Sequence, residues 1–305
     1  MTTPRQAVDT INERFGRHPG RRSLHAKGTL LTGTFAATPS ASALTRAAHM
    51  QGEPVRVTVR FSNGSGDPDE PDYAPDVRGM ATKFYAPDGS RTDIVAQTAP
   101  RFPVRTPDAF VELIRAASPG IAQAWRLPLF LARHPRAIPA LPASMQAVKP
   151  PASYATMAYY AIHAFRWVDG GGGARHVRYR WVPQAGVATL AGKEAKARGR
   201  DYLQQEIAER VAREPVRFTL ELQIAAAGDK VDDPTVPWRA DRETLDGGTL
   251  QLSGLDTERE KDGDVLVFDP VRVIDGIELT DDPVLRFRTD AYAESIERRS
   301  GATRG

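Results

Sequence analysis

The 305-residue sequence contains no cysteine. Disulfides, thiolate–metal sites, iron–sulfur clusters and cysteine nucleophiles are therefore excluded. Long apolar runs are missing too, because no stretch approaches the roughly 18 apolar residues of a membrane span. The N-terminus carries Asp9 and Glu13 where a signal peptide would have its apolar run. We therefore expect a cytoplasmic protein with no membrane partner.

Strong net charge is also lacking. The formal net charge is +3, and no block of five or six like charges occurs, so nucleic acid is not an expected partner. Most basic residues are arginines, which suit two-point capture of carboxylates better than lysines do. With 41% hydrophobic and 26% charged residues, the composition is that of an ordinary globular protein.

Period-two alternation predicts β-strands in the first third of the chain. In residues 55–62 (VRVTVRFS), the valines and Phe61 face one way, while Arg60 and Ser62 face the other. Three further strands are predicted in AKGTLLTGTFAAT, GMATKFY and RTDIVAQT. A helical stretch follows, which begins at Thr106 as an N-cap and continues as two or three short helices over residues 119–150.

Strands resume in the second half, in YYAIHAFRWV, ARHVRYRWVP, PVRFTLELQIA and DVLVFDP, with one helix in RDYLQQEIAERVARE. Eight largely antiparallel strands predict an α+β fold, an eight-stranded antiparallel β-barrel with helical insertions, because closure removes exposed edges. A single domain, 1–305, is predicted, with these parts: an N-terminal helix or arm (1–20), four strands (21–98), a helical insert (99–157), four strands with one helix (158–270) and a last helix (281–299).

The last helix has an unusual face. TDDPVLRF predicts its start, with Asp281 or Asp282 as the cap and Pro283 in the first turn. At about 100° per residue, four polar side chains fall within about 60° of one another: Arg288, Tyr292, Ser295 and Arg299. Taken alone, this pattern also fits a solvated basic face with one tyrosine.

Several short motifs occur in a fixed order: HAKG, RFS, RGMATKFY, DIV, SY..M..Y..H.F, RDYL, FDP and R...Y......R. Together they resemble the catalase superfamily over about residues 20–299. In length and ending, the chain is similar to the small catalase-related peroxidases. The resemblance implies a heme b cofactor, with Tyr292 matching the fifth ligand of the heme iron. Ligation requires a phenolate, and Arg288 is placed one turn away to favour one.

The resemblance also implies a distal site. His25 matches the family's catalytic histidine, which moves the peroxide proton, and Ser62 matches the hydroxyl residue that orients the ring. Three arginines match positions that bind the heme propionates: Arg22, Arg60 and Arg299. Phe110 matches a position that stacks on the porphyrin, although an ordinary core phenylalanine with Leu113 and Ile114 is an equally open interpretation.

Two departures from the family pattern stand out. Gln97 replaces the distal asparagine as a catalytic residue, although an offset of one residue would place Thr98 there instead. The chain also stops at Gly305, so we expect the parts that bind a nicotinamide cofactor and wrap neighbouring subunits in full-size catalases to be absent.

The predicted function is a heme peroxidase that reduces H2O2 or organic hydroperoxides with small organic electron donors. Three alternatives stay open: a true catalase, a non-catalytic barrel that carries heme or an apolar ligand, and a lipid-hydroperoxide rearrangement enzyme. A homo-oligomer is also left open.

Overall fold

The computed structural model describes residues 1–260 and 264–302, with side chains in the last helix up to Arg298. The strands are β1 (Gly28–Ala37), β2 (Val55–Asn63), β3 (Arg78–Tyr85), β4 (Arg91–Gln97), β5 (Tyr159–Val168), β6 (Ala174–Pro183), β7 (Val216–Ile224), β8 (Thr244–Leu255) and β9 (Ile277–Leu279). The α-helices are α1 (Pro4–Phe15), α2 (Pro39–Ser42), α3 (Pro107–Ala116), α4 (Gln123–Arg133), α5 (Leu141–Ala147), α6 (Gly192–Ala197), α7 (Tyr202–Arg213) and α8 (Pro283–Ala302). Short 3-10 helices cover Ala48–Met50, Pro135–Ala140 and Tyr154–Thr156.

Strands β1 to β8 form a closed barrel. Each strand pairs antiparallel with the next in sequence, β8 returns to β1, and β9 extends the sheet at β5. The two halves of the barrel meet where Gln97 at the end of β4 pairs with Tyr160 of β5. The prediction of an eight-stranded antiparallel barrel with helices is confirmed.

One predicted strand is wrong, and two strands of the structure, β8 and the three-residue β9, were not predicted. Residues 264–270 (DVLVFDP) form no strand, and Leu266 and Phe268 instead pack with Leu30 in a small separate cluster. The eighth strand is β8, which sequence reasoning missed because two glycines interrupt its alternation. Gly248 has φ of 146° beside a register shift, and a Cβ there would lie 2.4 Å from a carbonyl oxygen of β1. Such glycines accompany bulges, which break the period-two pattern.

The barrel interior is filled with aromatic side chains. Phe61 stacks on Tyr154 at 5.4 Å between ring centroids, and Phe35 meets Phe84 and Trp181 edge-on, all fully buried. The barrel is therefore a packed core with no room for a large ligand. A ligand-binding slot must lie outside it.

The outer face of β2 is buried as well. Arg60 and Ser62 are only 5% and 4% exposed, although their side chains point away from the valines of the core. They are covered by residues 22–27, here called the strap, which leads into β1 and contacts both side chains. Polar residues that are buried outside a barrel mark the candidate site.

The helical insert and the N-terminal helix form a second layer. Thr106 caps α3 as predicted, and the insert has its own cluster of buried residues around Val104, Ala109 and Phe130. Helices α1 and α3 both pack against α8. Among the helices in the described ranges, none is both long enough and apolar enough to cross a membrane.

Candidate active site

A row of paired residues crosses the outer face of the first four strands. Gly28 pairs with Ser62, Ser62 with Gly79, and Gly79 with Gln97. Directly paired residues project from the same face of a sheet. Ser62 and Gln97 therefore share this face, two strand spacings or roughly 10 Å apart, with only a glycine between them.

The strap places His25 over this row. Its Nδ1 lies 3.0 Å from the hydroxyl oxygen of Ser62, a contact that the family resemblance implied for these two residues. A Cβ at Gly79 would lie 2.7 Å from that hydroxyl oxygen and 2.9 Å from His25 Nδ1. Any side chain at Gly79 would therefore displace the imidazole, which explains the glycine near the start of β3.

His25 has a strained backbone. Its φ of 56° lies in the left-handed region, which residues other than glycine adopt at a cost of about 1–3 kcal/mol. Arg60 donates from Nη1 to the His25 carbonyl at 2.9 Å and from Nη2 to the Ala26 carbonyl at 3.2 Å. The His25 amide donates to the Gly64 carbonyl at 3.1 Å. These bonds hold the strap in the conformation that aims the ring.

A buried polar network fixes the strap from behind. Lys27 Nζ lies 2.8 Å from a carboxylate oxygen of Asp72 and 2.6 Å from one of Asp201. The Asn63 side chain donates to Asp72 at 2.8 Å and accepts from the Tyr154 hydroxyl at 2.8 Å. Sequence reasoning missed this network, because Asp72 lies in an Asp/Pro-rich stretch that is typical of a surface loop.

The charge state of His25 follows from its surroundings. Burial, together with the positive charges of Arg60, Arg288 and Arg22, lowers the pKa of His25 from 6.5 to about 3. The imidazole is therefore neutral at physiological pH and free to accept a proton.

On the other side of the site, Asp282 is the N-cap of α8. Its Oδ1 accepts from the amides of Val284 at 2.8 Å and Leu285 at 3.2 Å, which decides between the two predicted caps. The alternative, Asp281, is exposed and pairs with Arg286. The second oxygen of Asp282 lies 2.6 Å from His163 Nδ1, and both side chains are only 1% exposed.

A chain of hydrogen bonds runs from this cap to Tyr292. Arg288 Nη1 lies 3.1 Å from His163 Nε2. Because a guanidinium only donates, Nε2 accepts, and the imidazole proton sits on Nδ1 and is donated to Asp282. Burial lowers the pKa of His163, in keeping with a neutral ring. Arg288 also donates from Nε at 3.0 Å and Nη2 at 2.6 Å to the phenol oxygen of Tyr292.

Two donors from one cation make the Tyr292 oxygen a good place for negative charge. The face of α8 that carries Arg288 and Tyr292 therefore forms specific hydrogen bonds and is not merely a solvated basic face. His163 stood in a sequence motif, yet no role was predicted for it, because its partners Asp282 and Arg288 are remote in sequence. Its signal was a lone histidine on a largely apolar strand.

The strap and α8 lie side by side. The hydroxyl oxygens of Ser23 and Ser295 are 3.3 Å apart, so the element bearing His25 borders the helix bearing Tyr292. Arg299 belongs to the same helix, but its side chain lies outside the described residues. Phe110 is half-buried and stacks on Phe102 at 5.3 Å in the cluster of the insert, so its contact with a porphyrin stays a prediction.

The carboxylate of Glu260 lies between two of the arginines that are predicted to bind the heme propionates. Arg22 Nη1 donates to Glu260 at 3.0 Å, and Nη2 donates both to the other oxygen of Glu260 and, at 2.8 Å, to the Leu266 carbonyl. Arg60 Nε lies 3.9 Å from the same carboxylate. Glu260 was missed by sequence reasoning, because nothing local links it to residues more than two hundred positions earlier.

Comparison with known proteins agrees with this geometry. The chain matches the Catalase family model over residues 8–304. It is 48% identical to a catalase-related peroxidase of Mycolicibacterium paratuberculosis, over 99% of this chain and 96% of that protein. It is 34% identical to a catalase-related peroxidase of Synechococcus elongatus, over 98% of this chain and 89% of that protein.

Among solved structures, a fungal catalase superposes with a TM-score of 0.83 at 25% identity, over 96% of this chain and 62% of the other. Catalase A of Saccharomyces cerevisiae gives a TM-score of 0.82 at 24% identity, over 96% and 63%. This chain thus spans less than two thirds of those longer catalases. The class defined by barrel, strap and helix is that of the catalases, and the chain belongs to the catalase family.

Proteins of this family bind heme, and the residues present fit one. Arg22 donates to the Glu260 carboxylate and Arg60 lies 3.9 Å from it, and a carboxylate is the group that each heme propionate presents. The Tyr292 oxygen, with two donors from Arg288, suits an oxygen ligand for ferric iron. Arg22 and Arg60 would hold a propionate and Tyr292 the iron.

Replacing Glu260 by glutamine should therefore tighten heme binding. A propionate that approaches Arg22 and Arg60 meets the negative charge of Glu260, and relief of this repulsion should lower the Kd about three- to tenfold, roughly 0.7–1.4 kcal/mol. The measurement is a Soret-band titration of heme-free protein. Glu258→Gln, an exposed change two residues away, is the control. Weaker binding by the Glu260 variant would instead show that Glu260 positions the arginines.

Proposed function

We propose that this protein is a peroxidase that uses heme b to reduce H2O2 or organic hydroperoxides at the expense of small organic donors. The observation that carries the proposal is the adjacency of the His25–Ser62 pair on the strap to the Arg288–Tyr292 pair on α8. Bound heme, as iron and porphyrin together, would supply the two electrons that reduce the peroxide. Two relatives that bear the name catalase-related peroxidase support the same reading.

His25 would move the proton. With Nδ1–H donated to Ser62, the lone pair on Nε2 accepts a proton from the peroxide and returns it to the departing oxygen. That oxygen then leaves as water or as an alcohol rather than as an anion. The low pKa of His25 keeps the ring neutral before each cycle. Ser62 fixes the tautomer, and Arg60 fixes the strap.

Arg288 would keep negative charge on the Tyr292 oxygen. A free guanidinium could turn away from the phenol, but Arg288 is also bonded to His163, which the buried Asp282 holds in place. Asp282, His163 and Arg288 together thus keep two N–H donors on the Tyr292 oxygen, which would ligate the iron, and anionic oxygen ligands favour the higher oxidation states of iron.

Gln97 favours a peroxidase over a true catalase. Dismutation requires a second H2O2 to be fixed tightly enough to deliver two electrons together. The Gln97 amide shares the face of Ser62, but it has one methylene more than asparagine and more rotamer freedom to lose. A non-catalytic carrier is disfavoured, since heme transport does not need a neutral histidine bonded to a serine. A cytoplasmic location belongs to the proposal as well.

The test of the function compares two reactions on one heme-loaded sample. We expect ready oxidation of a small phenol or aromatic amine, and O2 release per heme orders of magnitude below that of a full-length catalase measured alongside. Vigorous O2 release with negligible donor oxidation would instead establish a catalase. Gln97→Asn should raise O2 release at unchanged heme content if the reach of the amide limits dismutation.

Replacing His25 by alanine should leave heme bound and slow the reaction with peroxide by about two orders of magnitude or more, the usual scale for lost acid–base help. Stopped-flow absorbance measures this rate, with His176→Ala on β6 as the control. In the wild type, the rate should not fall between pH 8 and about pH 4, because His25 gains a proton only near its pKa of about 3. A rate loss centred near pH 6.5, or a His25 variant within a few-fold of wild type, would contradict the assignment.

A further inference from the structure

A cleft of about 580 Å³ lies between α1, α3 and α4. Its lining comes from all three helices and the turn after α3: Thr10, Glu13, Arg14, Arg115, Ser118, Pro119 and Arg126. The volume falls in the range of small-molecule sites, about 300–1,000 Å³. None of the residues assigned above to heme or peroxide lines it.

Three arginines converge on this cleft without a carboxylate partner in the described part of the chain. Arg14 Nη1 donates to the Ile114 carbonyl at 3.2 Å, and its Nε is buried with no hydrogen-bond acceptor among the described residues. Arg115 Nη2 donates to the Thr10 hydroxyl at 3.1 Å. Arg126 lies over the ring of Trp125, 5.5 Å from its centroid. The groups that these three arginines contact directly are neutral, although the carboxylates of Glu70 and Asp76 act on Arg14 electrostatically. Arg115 and Arg126 therefore supply most of the positive charge that is available to a ligand.

Another arginine of the same layer, Arg298, has carboxylate partners instead. Arg298 on α8 bonds to Asp9 of α1 at 2.7 Å and to Glu294 at 2.6 Å. Glu13 is the single acidic residue in the lining of the cleft, and it forms no ion pair with the three arginines. Like charges around a semi-enclosed space repel one another and attract anions. The cleft is therefore suited to a negatively charged ligand.

An apolar recess adjoins the cleft. It has a volume of about 190 Å³ and shares Arg115 and Arg126 with the cleft. The rest of its lining is four apolar residues and two charged ones on α3 and α4: Ala116, Trp125, Leu129, Phe130, Glu112 and Arg133. Trp125 and Leu129 line it and are 58% and 41% exposed, which is unusual for side chains of this size. The cationic cleft and the apolar recess thus form one continuous amphipathic surface.

We propose that this surface binds a small amphipathic carboxylate, with its head between Arg14, Arg115 and Arg126 and its chain along Trp125 and Leu129. Guanidinium groups match the planar, two-oxygen geometry of a carboxylate. The Ser118 hydroxyl, which donates to the Ile114 carbonyl, lies in the same lining. The site shares no residue with the one between His25 and Tyr292, so the proposal stands independently of the peroxidase function.

Calorimetric titration with octanoate tests the proposal on the protein as purified. We expect saturable 1:1 binding that Arg115→Gln weakens at least tenfold, because Arg115 borders both the cleft and the recess. Arg175→Gln, at an exposed arginine of β6, is the matched control and should change nothing. Neutral octan-1-ol and inorganic phosphate should each bind at least tenfold more weakly than octanoate.

Tryptophan fluorescence provides a second readout of binding. Trp167, Trp181 and Trp238 are at most 6% exposed, so acrylamide quenches mainly Trp125, and octanoate should protect it. Equal affinity for octan-1-ol or for phosphate, binding unchanged by Arg115→Gln, or undetectable binding would overturn the proposal. A shift of the heme Soret band on octanoate addition that persists in Arg115→Gln would also overturn it, since the carboxylate would then bind at the iron. If Arg115→Gln does not fold, Arg126→Gln carries the same expectation.

Discussion

The two hydrogen bonds from Arg288 to the phenol oxygen of Tyr292 are the interaction on which the rest of the site depends. Negative charge on a half-buried phenol is unfavourable unless a cation is fixed beside it. Arg288 is fixed because its third contact, His163, is locked by a buried aspartate. That aspartate also caps α8, so one side chain both fixes the start of the helix and orients the residues that hold Arg288 against Tyr292.

The barrel explains why the other side of the site, which carries His25 and Ser62, can be as rigid as α8. Aromatic packing fills its interior, so the sheet offers its outer face as a stiff platform. Ser62 stands on that platform, and Gly79 leaves room for the ring of His25. The backbone strain at His25 is offset by bonds from Arg60 and by the Lys27–Asp72 network behind the strap. The strap and α8 are thus held by separate sets of contacts, which can keep the distance between His25 and Tyr292 constant.

The sequence predicts those parts of the molecule that depend on local pattern. Alternation in VRVTVRFS gives β2, and the helical register that links Arg288 to Tyr292 is present in the structure as a direct hydrogen bond. Long-range contacts escape such reasoning. Strand β8 was missed because glycines at a bulge erase its period, and Glu260 was missed because its partner Arg22 lies near the other end of the chain. The pairing of β8 around its bulge and the contact between Glu260 and Arg22 can be recognised only in the folded chain.

The most direct test of the account is the ferric absorption and resonance Raman spectrum of heme-loaded Tyr292→Phe beside that of the wild type. The substitution keeps the ring and removes only the oxygen that Arg288 holds. The account predicts a wild-type vibration characteristic of an iron–phenolate bond, and its loss in the variant together with lower heme content per chain. An unchanged spectrum at full heme occupancy would contradict the central claim that Tyr292 is the iron ligand.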